Sequence, residues 1–151
     1  MTMHAPLPTF FGRLTNVLSE HEHLRDTLRS LTTMCSALEA GQMALPPELE
    51  PRLLISELCT QLSTHFEAEE GRAHFGTMSH ERPDLLPGIV DLKMEHRAML
   101  ETVRNLALLV EDPARWCELP APARALSARL RAHEQAEAEL VRRYINGRRE
   151  R

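Results

Sequence analysis

Apolar side chains return every three or four positions along four separate stretches of the chain, the period of a helix with one buried face. The first stretch runs Leu14, Val17, His21, Leu24, Leu28, Leu31, Cys35, Leu38. The second runs Ile55, Leu58, Leu62, His65, Glu69. The third is Ile89, Leu92, His96, Met99, Val103, Leu106, Val110, and the fourth Leu126, Leu130, His133, Glu137, Leu140, Tyr144. Helix-breaking residues separate them. Pro6 and Pro8 precede the first; Gly41, Pro46 and Pro47 follow it. Gly76, Pro83 and Pro87-Gly88 part the second from the third, and Pro113, Pro120 and Pro122 part the third from the fourth. Four amphipathic helices of about 25 residues on short connections predict an all-α fold, an antiparallel up-down four-helix bundle. A chain of 151 residues suits one domain, with an N-terminal arm over about 1–10 and the bundle over about 11–147.

The interruptions of these stripes carry the chemistry. Each helix replaces one seam residue with histidine, and two helices also place a glutamate one turn later. His21, His65, Glu69, His96, His133 and Glu137 are therefore expected to point inward. His23, Glu67, Glu70 and Glu95 fall off the seam. His23 is two residues from His21, about 200° around the helix.

Composition narrows the field. Aromatics are 4% of the chain, while Leu, Ala, Glu and Arg dominate, a bias toward helix over sheet. A formal charge of −4 gives no footing for nucleic acid, and Arg148, Arg149 and Arg151 form a basic tail of the kind a helix C-terminus favours anyway. Cys35, Cys59 and Cys117 are odd in number, widely spaced and without a Cys-x-x-Cys motif, so they read as free thiols in a reducing compartment. The beginning of the chain lacks a signal-peptide pattern, and no run approaches the ~18 apolar residues of a membrane span. A cytoplasmic setting is the expectation.

A lone histidine on an apolar face is more often a hydrogen-bonded core residue than a ligand. Four such histidines with two carboxylates are a different matter. Burying them in a leucine-lined interior is costly unless something holds them charged and paired. A divalent metal does so, since it binds deprotonated carboxylate and neutral imidazole. Two metals bridged by two carboxylates would use all six residues. The competing readings are a metal-free His–Glu network and a Ser–His–Glu hydrolase. The hydrolase has no Gly-x-Ser-x-Gly elbow behind it, and Ser63 and Ser127 sit in ordinary helical contexts. His4 lies in the arm, and His74 and His80 fall near the fraying end of the second helix. Met34, Met43, Met78, Met94 and Met99 read as packing.

At EHEHLR (20–25), HFEAEE (65–70), EHRAML (95–100) and HEQAE (133–137) the sequence resembles the hemerythrin-like family, the bacterial HHE cation-binding domains. The resemblance extends over about residues 12–146. It implies His21, His65, His96 and His133 as terminal imidazole ligands. It also implies Glu69 and Glu137 as bridges between two non-haem irons, with an oxo, hydroxo or water bridge completing the core. Manganese and zinc suit the same donors. The family's oxygen carriers have a further histidine where this chain has Leu92, and end in His-x-x-x-x-Asp where this chain has His-x-x-x-Glu. Six ligands are few for two irons, so water, Glu70, His74 or another residue would complete them. The resemblance implies a protein that binds, senses or reacts with O2, peroxide or nitric oxide. The alternatives are a di-iron enzyme (peroxidase, oxidase or iron-centre repair), with Tyr144 a candidate proton donor, and a non-catalytic metal-responsive interaction module.

Overall fold

A computed structural model describes residues 10–42 and 44–149, without the side chains of 10–20 and Ala73. His4, Met43, Arg151, most of the expected arm and the side chains of Leu14 and Val17 lie outside the described residues. Five helices follow in order: α1 (Phe10–Glu39), α2 (Pro51–Glu70), α3 (Thr77–Glu81), α4 (Leu86–Leu109) and α5 (Pro120–Arg149). No strand occurs among the described residues. The four long helices close a ring, α1 against α2, α2 against α4, α4 against α5 and α5 against α1.

Local chemistry explains the helix ends. After α1, Gly41 takes a positive φ of 77°, a conformation in which a side chain would be strained. The Gly41 N–H then donates to Leu38 O and the Gln42 N–H to Ala37 O, both at 3.0 Å, satisfying carbonyls that the helix leaves open. Glu50 caps α2 by accepting from the Leu53 N–H at 2.9 Å.

Two details depart from the sequence reading. Pro87-Gly88, Pro120 and Pro122 do not separate helices but lie in the first turns of α4 and α5. Proline is tolerated there because those N–H groups have no helical partner to lose. Gly88 also lets α5 come close, since a Cβ at that position would stand 2.9 Å from Leu140 Cδ1. The stretch after α2 is not a fraying end either. It forms a π-type turn over Arg72–Gly76 and then the short helix α3.

The apolar seams bury as the period requires. Every described apolar residue of the four stripes is buried. They divide into two clusters. The larger takes Leu24 to Leu38 of α1, Leu54 to Leu62 with Phe66 of α2, Met99 to Leu106 of α4 with Val110 just after it, and Ala123 to Leu130 of α5 with Leu119 just before it. The smaller joins Phe75, Met78, Leu85, Ile89, Leu92, Leu140 and Tyr144. On α4 and α5 the seam histidines fall in sequence between the two clusters. Cys35, Cys59 and Cys117 are all free thiols.

Candidate metal centre

The four seams bring His21, His65, Glu69, His96, His133 and Glu137 into one buried group. Glu69 stands at its middle, 0% exposed. Its Oε1 lies 2.5 Å from His65 Nε2 and 3.6 Å from His21 Nε2. Its Oε2 faces the other way, 2.7 Å from His96 Nε2 and 3.7 Å from His133 Nε2. Glu137 Oε2 lies 3.8 Å from His21 Nε2 and 3.9 Å from His133 Nε2. One carboxylate thus presents an oxygen to each of two histidine pairs.

The imidazoles converge through the same nitrogen. His21 Nε2 and His65 Nε2 are 2.8 Å apart, and His96 Nε2 and His133 Nε2 are 3.1 Å apart. Despite the short distances, neither Glu69 oxygen has a hydrogen-bond donor among the described residues, and neither does Glu137 Oε2. Imidazole nitrogens that converge on buried carboxylate oxygens lacking an N–H donor are arranged as ligand atoms around a cation would be. Buried acceptors left in that state cost stability. Two sets of donor atoms could each hold an ion: His21, His65, Glu69 and Glu137, and Glu69, His96 and His133. The residues fit a cation site.

Electrostatics agrees. Burial acts to raise the Glu69 carboxyl, but His133, His21, His65 and His96 outweigh it and hold the group well below the usual carboxylate range. Glu137 moves the opposite way. Burial and the nearby Glu69 charge raise it, against the lowering influence of His74. Burial lowers His133, yet attraction to Glu69 and Glu95 leaves it raised on balance. A divalent cation would relieve the repulsion between the two carboxylates.

His74 belongs to this group. It is buried in the π-type turn, with Nε2 3.3 Å from Glu137 Oε1. The helical period counted from His65 misses it, because the chain breaks at Gly71, whose ψ of 163° is extended. Glu95, set aside as off-seam, also touches the cluster from outside, with Oε2 2.6 Å from His133 Nδ1. Its signal was position: the residue before His96 lies on the flank of α4 that borders α5. Phe66 stacks on His96 at 3.9 Å and 10°, fixing that ring's plane.

The remaining candidates do not enter the buried group. His23, Glu67, Glu70 and His80 are exposed. Met34, Met78 and Met99 are core residues, whereas Met94 is exposed. Tyr144 donates its hydroxyl to Glu81 Oε2 at 2.5 Å, and its pKa is pushed up to about 12 by burial and by that carboxylate. It is a weaker acid than free tyrosine, which counts against it as a proton donor. No helix among the described residues is long and apolar enough to cross a membrane.

Comparison with known proteins finds no match among curated proteins or among solved structures. The hemerythrin HHE cation binding domain, however, matches residues 13–145, a span that contains all seven buried histidines and glutamates of the cluster. The chain belongs to the hemerythrin HHE cation-binding domain family.

Proposed function

We propose that the cluster holds two non-haem iron ions and that the protein binds, senses or reacts with O2, peroxide or nitric oxide there. The observation that carries this reading is Glu69, which turns one oxygen toward His21 and His65 and the other toward His96 and His133. Glu69 and Glu137 would be shared between the two ions, and His21, His65, His96 and His133 would each hold one. His74 would add a fifth imidazole beside Glu137. A pair of irons, when bound, supplies electrons and open coordination positions for a small oxidant.

The chain's own residues do the rest. Glu69, held ionised by its four imidazoles, keeps a fixed negative charge between the two positions. Phe66 packs against His65, His96 and His133. Leu62, Leu92 and Met99, within one turn of His65 or His96 in sequence, are buried too. Such apolar surroundings exclude water and favour a diatomic guest over a polar organic substrate. The free thiols suit a reducing, cytoplasmic setting.

The antiparallel up-down course of the long helices is part of the same reading. The larger apolar cluster follows the seam histidine in α1 and α4 but, Phe66 apart, precedes it in α2 and α5. Alternate helices that run in opposite directions produce that order.

The first test is elemental analysis of the purified protein, with optical spectra of the reduced form before and after air. About two irons per chain and a new near-ultraviolet or visible band on oxygenation are expected. Zinc, or no metal after reconstitution with iron, would overturn the reading.

A further inference from the structure

Histidine has two ring nitrogens, and a metal can use only one that carries no proton. In His133 the division is built into the fold. Nε2 faces Glu69 and Glu137, while Nδ1 points outward to Glu95. The Glu95 carboxylate is an acceptor only, and its Oε2 sits 2.6 Å from Nδ1. The ring proton therefore belongs on Nδ1, which leaves the Nε2 lone pair free. Buried among Phe66 and His96, the His133 ring has little room to present its other nitrogen.

We propose that Glu95 is a positioning residue for the metal centre. It fixes the tautomer and orientation of His133 and raises the basicity of Nε2. This inference rests on the metal reading above. Glu95 lies on α4 and His133 on α5, so the pair also ties two helices at the level of the cluster. Its side chain is 43% exposed while that of His133 is 1% exposed. The outer carboxylate thus reaches from the solvent edge to a ligand that water does not touch. A neighbouring pair supplies the contrast. His96 Nδ1 is 3.8 Å from Glu70 Oε1, beyond hydrogen-bond reach, so Glu70 exerts no comparable hold.

The experiment compares Glu95→Ala, Glu95→Gln and Glu70→Ala with the wild type. It measures iron release to a chelator, and the histidine ring signals of the metal-free protein by NMR. Glu95→Ala should weaken metal binding by about 10–100-fold and erase the downfield Nδ1–H signal of His133. Glu95→Gln keeps a carbonyl acceptor without the charge and should fall between Glu95→Ala and wild type. It also serves if the alanine variant does not fold. Glu70→Ala should stay close to wild type. A wild type that holds no metal would sink the metal reading itself. A metal-loaded wild type matched by both Glu95 variants, in release and in ring signals, would overturn this inference alone. A purely structural role for Glu95 would lower the melting temperature without the graded change in tautomer and release.

Discussion

Leu58 and Glu69 lie three helical turns apart on the same face of α2, and both are 0% exposed. Leu58 belongs to the larger apolar cluster, where burial is favourable by itself. At Glu69 the neighbours are four imidazoles and a second carboxylate, and the carboxylate oxygens lack hydrogen bonds. One helical seam therefore crosses two environments. The apolar end gains stability from burial alone, whereas the polar band has the donor atoms of a cation site.

The largest separation between the two should come from truncating each in turn. Leu58→Ala leaves a cavity and should cost about 2–5 kcal/mol, yet the metal stoichiometry should stay as in the wild type. Glu69→Ala should do the reverse: of the about two ions expected per chain, at least one should be lost. Paired melting curves and elemental analyses read both outcomes. Equal metal content in Glu69→Ala would contradict its central role.

Stripping the metal tests the same contrast without mutation. Chelation removes a ligand that favours the folded state, worth about 4 kcal/mol when it is present at a thousand times its dissociation constant. The melting temperature should fall by on the order of 10 °C for a domain of this size. Acid should act in the same direction. His133 is raised, so it takes up a proton at a higher pH than an ordinary histidine. Glu137 is raised as well and protonates above the usual carboxylate range. Both must lose that proton to bind a cation. Metal affinity should therefore rise with pH and fall as pH drops through the histidine range. Chelator competition at several pH values reads this directly, and a flat profile would count against His133 as a ligand.

His74→Ala should have a smaller effect than Glu69→Ala, since it removes one imidazole that meets a single oxygen of Glu137. Partial loss or faster release of one ion is expected by elemental analysis after gel filtration. Full retention with wild-type release would return His74 to a hydrogen-bonded core residue.

These residues also mark how far the sequence could be read. The seams and the six inward histidines and glutamates were accessible because α1, α2, α4 and α5 keep an unbroken helical period through them. His74 was not. Nine residues separate it from His65, which in a continuous helix would place it on the opposite face. Only the extended Gly71 and the wider turn after it bring His74 inward. Glu95 was missed for another reason. Period counting sorts residues into buried and exposed faces, and a half-exposed flank residue that reaches across to a neighbouring helix belongs to neither. The prolines of α4 and α5 misled because helix starts and helix breaks use the same residue.

The smallest effect belongs to His23, and it tests the register of α1. His23 and His21 share the EHEH segment, so spacing alone leaves the choice of ligand to the seam. In the structure His21 is buried against His65, whereas His23 is exposed and its backbone carbonyl accepts from Thr27 Oγ1. That hydrogen bond does not involve the imidazole, so His23→Ala preserves it. Metal content should be unchanged, and stability should stay within about 0.5 kcal/mol. His21→Ala should lose metal. The reverse outcome would mean that α1 is rotated by more than a quarter turn from the orientation its leucines dictate. Leu24, Leu28 and Leu31 would then leave the core along with His21, at a cost far above the gain from one imidazole ligand.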